Sequence, residues 1–392
     1  MQISQRAQSV KPSATVSISA KANELRTKGI DVINLSVGEP DFDTPEPIKA
    51  AAIKAIQAGH TKYTAIDGMP ALKDAVIQKF KNENNLSYTR DNVMISCGAK
   101  QCLYNLAQAL LNPGDEVIIP APYWVSYPDM VALAGGISVI VQTDVNARYK
   151  ITAAQLEKAI TPKTRLFILN SPSNPTGMAY TAQELKSLAQ VLLRYPSVVI
   201  ATDDMYEHIL WGMHSFVNIL NVCDALRERT IVVNGVSKSY AMTGWRIGYA
   251  AGPADIINAM RKIQSHSTSN PASISQYAAL FALNEEKEFL KGLKKIFKER
   301  HDFLQKKLSA IPGVICPAAD GAFYLFPNVE KAIARQHLKD DIALSQLLLE
   351  KAHVAVVPGT EFGSPGHIRL SYATSIETLE KTIQRMAEFI EG

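Results

Sequence analysis

Residues 237–248 read SKSYAMTGWRIG and come shortly after the apolar run Ile231–Val233, which predicts a short buried strand. Lys238 therefore lies just beyond the end of a strand, where α/β proteins place reactive groups. An amine held there away from bulk water loses proton affinity and becomes a nucleophile towards a carbonyl. Arg246, eight residues further on, has a planar guanidinium that suits a phosphate.

The combination of Lys238 and Arg246 indicates a site for a phosphorylated carbonyl compound, and pyridoxal phosphate has that chemistry. Glycines at positions 244 and 248, on either side of the arginine, allow the backbone to approach such a ligand closely. A single lysine is more often solvated than reactive, so this interpretation depends on residues elsewhere in the chain.

The composition is that of a globular chain. Of the 392 residues, 47% are apolar and 20% are charged, and the net charge is +4. The length favours two domains, and the scattered positive charge does not indicate nucleic-acid binding. No apolar run is long enough to cross a bilayer, and residues 1–11 lack the apolar core of a signal peptide.

The four cysteines include no CxxC pair, and the eight histidines include no HxxxH pair. The sequence therefore predicts neither a disulfide framework nor a built-in metal site. We expect the protein to be cytoplasmic, because a reducing compartment suits cysteines of this number and spacing.

The pattern of apolar residues changes along the chain. Through its middle, short apolar runs alternate with helical patterns, which is typical of a mostly parallel sheet covered by helices. A charged amphipathic helix follows over about Lys287–Leu308, and mixed strands and helices come after it. We predict a large domain over residues 46–286 and a small α+β domain that combines residues 1–45 with 287–392. The predicted strands are Val93–Cys97, Glu116–Ile119, Leu166–Leu169, Val198–Thr202, Ile231–Val233 and Ile247–Ala251.

An acidic segment, Asp203–Tyr206, follows the apolar run Val198–Ile200. A carboxylate at the end of a buried strand needs a cationic partner to offset its desolvation, and a pyridinium nitrogen would be such a partner. A carboxylate in that position keeps the ring protonated and so makes it an electron sink, and Tyr206 could donate to the phenolic oxygen of the ring. Aspartate is also common as a helix N-cap, so that alternative stays open.

Two loops that follow predicted strands add polar groups. Residues 170–177 read NSPSNPTG, and Asn174 precedes a proline, which biases its backbone to be extended and leaves its amide able to enter a site. A plain turn would have the same composition. Residues 97–101 read CGAKQ and lead through a glycine into a helix, whose first amide groups could bind a phosphate.

Trp124 and Arg369 are two side chains with both a structural and a functional interpretation. Trp124 could stack on a flat cofactor ring, although aromatic residues in such positions are more often part of the core. Arg369 lies within an apolar, strand-like run and therefore needs a partner. A substrate carboxylate would pair with it in bidentate fashion, and a structural salt bridge is the alternative.

With these residues assembled, the chain resembles the class I pyridoxal-phosphate-dependent aminotransferases of fold type I. Within them it is similar to the bacterial aspartate aminotransferase subgroup, which includes the aspartate/prephenate aminotransferases. The resemblance covers nearly the whole chain, in the motifs KPSAT (11–15), GEPDF (38–42), SNPTG (173–177) and RLSYA (369–373). It implies a large domain with a mostly parallel seven-stranded sheet, a smaller α+β domain, pyridoxal 5′-phosphate as cofactor, and a homodimer with shared active sites.

The resemblance also implies a role for each residue that matches a family motif. Lys238 would bind the cofactor covalently and then move the proton at the substrate Cα. Tyr63 would reach the phosphate bound to the neighbouring subunit. Arg369 would bind the substrate α-carboxylate beside the Gly38 backbone, and Trp124 and Asn174 would border the same substrate. The other implied cofactor contacts are Asp203 at the ring nitrogen, Tyr206 and Asn174 at the ring oxygen, Trp124 against the ring, and Gly98, Ala99, Lys100 and Arg246 around the phosphate.

One position departs from the better-known subgroup, which uses an arginine to bind the distal carboxylate of the substrate. Ser265 occupies the corresponding position here, upstream of the motif Ser269-Asn270-Pro271. In the bacterial subgroup lysines serve that carboxylate, and Lys11 and Lys100 match them. A lysine is a flexible point charge, so we expect looser discrimination among acidic donors.

The resemblance implies a transaminase that moves the amino group of L-aspartate to 2-oxoglutarate, giving oxaloacetate and L-glutamate. Prephenate is a further candidate acceptor, because Lys11 matches a lysine associated with it. An aromatic or kynurenine aminotransferase, or a β-lyase of the same fold, could share Lys238, Asp203 and Arg369. Such enzymes favour apolar residues around the side-chain pocket, whereas Lys11 and Lys100 favour a dicarboxylate.

Overall fold

The structure is a computed structural model and describes residues 2–10, 12, 14–212, 215–285 and 287–391. The helices are α1 (Gln5–Gln8), α2 (Ala14–Thr27), α3 (Glu46–Gln57), α4 (Pro70–Asn84), α5 (Ala99–Leu110), α6 (Ser126–Leu133), α7 (Ala153–Ala159), α8 (Ala182–Leu193), α9 (Ile219–Val222), α10 (Ala254–Ser265), α11 (Ser273–Glu285), α12 (Lys287–Leu308), α13 (Glu330–Arg335), α14 (Asp341–Glu350) and α15 (Ile376–Glu391). The strands are β1 (Ile33–Asn34), β2 (Val93–Ser96), β3 (Glu116–Ala121), β4 (Ile137–Gln142), β5 (Thr164–Asn170), β6 (Val199–Asp203), β7 (Thr230–Gly235), β8 (Gly248–Ala251), β9 (Tyr324–Leu325), β10 (Val354–Ala355), β11 (Val357–Pro358) and β12 (Ile368–Ser371).

The main sheet, within the described ranges, has seven strands in the order β2-β8-β7-β6-β5-β3-β4. Neighbouring strands run parallel except at β8, which is antiparallel to both β2 and β7. The prediction of a mostly parallel seven-stranded sheet is therefore confirmed. Of the helices that the structure describes, none is both long and apolar enough to cross a membrane.

The strands at the centre of this sheet are buried on both faces. Along β6, Val199 and Ala201 belong to one apolar cluster, whereas Ile200 between them belongs to another. This alternation arises because successive side chains of a strand point to opposite faces of the sheet. Helices cover both faces, which explains why the central strands are continuous apolar runs in the sequence.

The carboxyl ends of three adjacent parallel strands lie at one edge of the sheet. β5 ends at Asn170, β6 at Asp203 and β7 at Gly235. The loops that follow them carry Asn174 and Lys238, so these residues start from neighbouring strand ends. The sheet thereby gathers residues that are far apart in sequence.

The two ends of the chain meet in small sheets. β1 pairs in parallel with β10, and β11, β12 and β9 form an antiparallel sheet of their own. Arg369 lies in β12, where it is opposite Val357 of β11. The long helix α12 has the predicted bounds. The division into domains 46–286 and 1–45 with 287–392 stays a prediction.

The six strands predicted for the main sheet are all present, with ends that differ from the prediction by at most two residues. Among the described strands of the main sheet, β4 (Ile137–Gln142) is the one that was not predicted, and it lies at an edge of the sheet. Its residues are exposed or half-buried, so it lacks the fully apolar run that marked the others. Helix α8 begins with a capping box formed by Thr181 and Glu184.

Candidate active site

A cavity of about 310 Å³ opens at the carboxyl edge of the main sheet. This volume is in the range of small-molecule sites. Its wall combines the loops after β5, β6 and β7 with the start of α5 and with β9 and β12. The residues predicted from the sequence that line it are Gly38, Ala99, Lys100, Trp124, Asn174, Asp203, Tyr206, Lys238, Arg246 and Arg369.

Lys238 provides the amine of the cavity. Its Nζ donates a hydrogen bond of 2.7 Å to the carbonyl oxygen of Gly38. Burial lowers the pKa of Lys238 to about 8 from its ordinary value of 10.5. The negative charge of Glu39 opposes this shift, while the positive charges of Arg246 and Arg369 add to it. The amine is thus able to act as a nucleophile near neutral pH.

Asp203 provides a buried carboxylate at the end of β6. Tyr127 Oη donates to its Oδ2 over 2.6 Å, and the backbone nitrogen of Met205 donates to its Oδ1 over 3.3 Å. Burial raises the pKa of Asp203, against the effect of the Tyr127 hydrogen bond. No lysine, arginine or histidine of the described residues forms an ion pair with it. A ligand with a positively charged ring nitrogen would supply the missing charge.

The alternative role of Asp203 as a helix N-cap is wrong, because a turn over residues 205–208 follows it and no described helix begins there. Tyr206, within that turn, is buried, and its Oη lies 2.8 Å from the Oη of Tyr324. The loop after β6 therefore presents a carboxylate and a phenol to the same cavity.

Arg369 is buried in the opposite wall. Its Nη1 donates to Asn174 Oδ1 over 3.0 Å, and its Nη2 donates to the carbonyl oxygen of Ser36 over 2.5 Å. The Nε atom is buried without a hydrogen-bond partner among the described residues. Burial lowers the pKa of Arg369. A buried guanidinium with an unpaired nitrogen and no carboxylate partner fits a site for a ligand carboxylate, and the alternative of a structural salt bridge has no support among the described ion pairs.

The start of α5 and Arg246 form the third side of the cavity. Gly98 is the N-cap of α5 and has φ +84°. A Cβ on Gly98 would overlap the guanidinium of Arg246, and one on Gly248 would overlap the backbone of Ala99. These glycines therefore allow the helix start and the arginine to lie together. Backbone amides at a helix N-terminus next to a guanidinium are suited to a phosphate.

Trp124 and Lys100 lie at the mouth of the cavity. The Nζ of Lys100 is 4.9 Å from the centre of the Trp124 ring, within the range of a cation–π contact. Trp124 also packs edge-on against Tyr127, with ring centres 5.4 Å apart. Burial and the positive charge of Arg246 lower the pKa of Lys100. An aromatic plane and a cation thus border the opening.

Comparison with known proteins identifies the family. The family model described as aminotransferase class I and II matches residues 30–386. The chain belongs to this family. The aspartate/prephenate aminotransferase of Nitrosomonas europaea is 52% identical over 100% of both chains. The aspartate aminotransferase of Geobacillus stearothermophilus is 50% identical, again over 100% of both.

Solved structures of aminotransferases share the fold. The aspartate aminotransferase from Rhizobium meliloti is 47% identical and superimposes with a TM-score of 0.96, covering 100% of this chain and 99% of that one. The aspartate aminotransferase from Thermus thermophilus, with maleate, is 43% identical and has a TM-score of 0.94 over 99% of both chains. The family and the fold class predicted from the sequence are confirmed.

Some residues predicted for this aminotransferase site do not line the cavity. The side chain of Tyr63 is 90% exposed on the surface of the single chain. Gly98 lies behind Ala99 at the start of α5. Lys11 lies outside the described residues. Ser265 ends α10, and its Oγ donates to the carbonyl oxygen of Lys262. Their roles at the site stay predictions.

The structure also brings to the aminotransferase site residues that sequence reasoning missed. Tyr127 holds Asp203, and Tyr324 contacts Tyr206. Thr15 and Val16, at the start of α2, line the cavity as well. The tyrosines carry no motif of their own in the sequence, although Tyr127 is three residues from Trp124.

A buried network lies behind the loop after β6. Glu207, next to Tyr206, accepts hydrogen bonds from Lys79, from Asn84 over 2.6 Å and from Asn234 over 2.7 Å. Lys79 and Asn84 belong to α4, and Asn234 belongs to β7. This network ties the loop that carries Tyr206 to a helix and to the strand that leads to the amine.

Proposed function

We propose that the chain is a pyridoxal-phosphate-dependent aminotransferase that moves the amino group of L-aspartate to 2-oxoglutarate, giving oxaloacetate and L-glutamate. The observation that carries this proposal is the convergence of Lys238, Asp203 and Arg369 on one cavity. Among the described residues, the amine of Lys238 is buried, the carboxylate of Asp203 has no cationic partner and the guanidinium of Arg369 has no carboxylate partner. Pyridoxal phosphate and an amino-acid substrate together would supply a partner for each of these groups.

The groups around the cavity fit pyridoxal phosphate. When bound, the cofactor supplies an electron sink for charge that develops at the substrate Cα. The residues that would hold it are Lys238 at its aldehyde carbon, Asp203 at the ring nitrogen, Tyr206 and Asn174 at the ring oxygen, Trp124 against the ring, and Ala99, Lys100, Arg246 and the Gly98 turn at the phosphate.

Lys238 is suited to two tasks. With a pKa of about 8 rather than 10.5, about half of the amine is neutral at pH 8, compared with about 0.3% for an ordinary lysine. The neutral amine would bind the aldehyde carbon of the cofactor, and as a free base it would accept the proton of the substrate Cα and donate it again. A protonated ring nitrogen beside Asp203 would favour the charged form of this carboxylate, which would in turn hold the proton on the ring.

Arg369 would orient the substrate through its α-carboxylate, because its fork matches a carboxylate in bidentate fashion. Asn174 and Ser36 fix the guanidinium, which would restrict the orientation in which the substrate presents its Cα–H bond to the amine. Lys100 at the cavity mouth offers a positive charge to a second carboxylate, and Lys11 is a further candidate. The names of the two curated relatives support aspartate as donor and prephenate as an additional acceptor.

We also propose a homodimer in which Tyr63 of each subunit reaches the phosphate bound to the other. The exposure of this tyrosine on the single chain supports a partner surface, because a large aromatic side chain with 90% exposure is unusual. The cytoplasmic location expected from the sequence stays a prediction.

The proposal is tested by titrating the purified, cofactor-loaded protein with single amino acids while its visible absorbance is recorded. L-aspartate should convert the absorbance band at a lower concentration than L-alanine, L-phenylalanine or L-kynurenine. A preference for the aromatic donors would refute the dicarboxylate assignment of Lys100 and Lys11 but not the transaminase.

Two variants serve as controls for this titration. Lys238→Ala should lose the covalent adduct that borohydride traps, and a trapped adduct elsewhere would contradict the role of the lysine. Lys100→Ala should weaken the binding of L-aspartate more than that of L-alanine, since only L-aspartate has a second carboxylate. Equal weakening of both would show that Lys100 does not recognise that group.

A further inference from the structure

Two phenols connect the opposite walls of the cavity. The Oη atoms of Tyr206 and Tyr324 are 2.8 Å apart, and their rings meet edge to face with centres 5.7 Å apart. Tyr324 is fully buried in β9, where it is opposite Ser371 of β12. Arg369 is two residues from Ser371 on the same strand, so it is a diagonal neighbour of Tyr324.

Arg369 also contacts the face of the Tyr324 ring. Its guanidinium carbon lies 4.6 Å from the ring centre, which is a close cation–π contact. A positive charge at that position stabilises negative charge on the phenol oxygen and makes the hydroxyl a stronger donor. Burial raises the pKa of Tyr324, and the charge of Arg369 opposes that rise.

A count of protons sets the direction of the bond between the phenols. Each tyrosine has one hydroxyl proton and can also accept. If Tyr206 donates its proton to the cofactor ring oxygen, the proton between the two phenols has to come from Tyr324. The charged and titratable groups that face this pair are Arg369 and Asp203.

We propose that Tyr324 is a positioning residue that couples the substrate-carboxylate site at Arg369 to the cofactor ring at Tyr206. This inference rests on the proposed function. Donation from Tyr324 strengthens the hydrogen bond that Tyr206 makes to the ring oxygen. The linkage nitrogen is the nitrogen of Lys238 in its covalent bond to the cofactor. When the ring oxygen is stabilised in this way, the linkage nitrogen binds its proton less tightly. When a carboxylate neutralises Arg369, Tyr324 becomes a weaker donor, and the linkage nitrogen binds its proton more strongly.

The test is a spectrophotometric pH titration of the cofactor-loaded protein, which reports the pKa of the linkage formed with Lys238. Tyr324→Phe removes one oxygen atom and should raise that pKa by about one unit. Succinate, a dicarboxylate without an amino group, should raise the pKa of the unaltered protein, and this rise should be smaller in Tyr324→Phe. The contact of Arg369 with Asn174 would account for the rise in pKa that succinate still causes in Tyr324→Phe.

A double-mutant cycle separates this role from a general effect on packing. If Tyr324 acts through Tyr206, Tyr324→Phe should add almost nothing in a Tyr206→Phe background. Tyr372→Phe is the matched control, because Tyr372 is also fully buried but its hydroxyl lies 3.3 Å from the carbonyl oxygen of Ala322 and not at the cavity. This control should leave the linkage pKa unchanged.

A second variant perturbs the same phenol without removing it. A Cβ on Gly38 would lie 2.5 Å from Tyr324 Oη, so Gly38→Ala should displace the hydroxyl and raise the linkage pKa as Tyr324→Phe does. Unchanged titration in both variants, or full additivity with Tyr206→Phe, would overturn the coupling. A protein that binds pyridoxal phosphate without any visible linkage band would instead overturn the proposed function itself.

Discussion

Replacing Gly98 by alanine tests whether the turn before α5 binds phosphate, because the substitution should affect both the stability of the protein and its affinity for the cofactor. Gly98 has φ +84° and ψ 161°, a conformation that is essentially restricted to glycine. The added Cβ would overlap Arg246 Nη2 and lie 3.0 Å from Cζ, closer than an ordinary carbon–carbon contact. The guanidinium therefore has to move away from the turn.

Two effects of different size follow from Gly98→Ala. Backbone strain costs about 1–3 kcal/mol of folding free energy, which corresponds to a loss of about 2–12 °C in Tm on the scale of domains of 150–250 residues. Displacement of the Arg246 guanidinium removes a hydrogen bond to a charged group, worth about 1.5–3 kcal/mol. Pyridoxal phosphate should therefore bind about 10- to 100-fold more weakly.

Gly114→Ala is the matched control, because Gly114 has φ +91° but no atom within 4 Å of an added Cβ. Both variants should lose thermal stability as apoproteins, measured by their Tm. Only Gly98→Ala should also bind pyridoxal phosphate more weakly when the apoprotein is titrated with it. Equal cofactor affinity in the two variants would refute the assignment of the phosphate site to Gly98 and Arg246.

Three more predictions follow from the buried groups. Asp203→Ala should lower turnover about 10³-fold or more while cofactor still binds, because the ring nitrogen loses its carboxylate; near-normal turnover would contradict the role of Asp203. Glu207→Ala should lower the free energy of unfolding by about 3 kcal/mol, the lower end of the cost of breaking a buried ion pair, since the buried ammonium of Lys79 loses its closest carboxylate and keeps Asn84 and the more distant Glu83. Urea denaturation of this variant beside the exposed-pair control Glu288→Ala measures the difference. The third concerns the pH dependence of stability. The pKa of Lys238 is about 8 in the folded protein and 10.5 in the unfolded chain, so the unfolded chain binds more protons between these pH values. The free energy of unfolding of the apoprotein should therefore rise with pH across that window relative to Lys238→Met, and parallel pH profiles of the two proteins would show that the pKa of the lysine is not lowered by folding.

Residues at strand ends were the part of the site that the sequence could predict. Lys238 and Asp203 each follow an apolar run that becomes a central strand, and the parallel sheet places those strand ends together. Arg369 stood out because a charged residue inside an apolar run needs a partner. In each case a local pattern contained the physical reason for the position of the residue.

Contacts between distant segments had no such local signal. Tyr324 lies among buried aromatic residues, and only the pairing of β9 with β12 shows that it contacts both Tyr206 and Arg369. Lys79 and Glu207 are 128 residues apart, and each alone has the appearance of a surface charge. The edge strand β4 was missed for a related reason, because partial exposure removes the apolar run that identifies a central strand.

The hydrogen bond between Arg369 and Ser36 joins positions 333 residues apart, and it has a consequence for synthesis of the protein. On the ribosome, the strands that lead to Asp203 and Lys238 emerge well before β12. A chain released before β12 therefore contains the residues of the sheet edge but lacks the Arg369 guanidinium. Because β12 lies between β11 and β9 and follows both in the chain, the small sheet that holds Arg369 is complete only after β12 has been synthesised. Truncated products would thus contain Lys238 without the buried guanidinium on the opposite wall of its cavity.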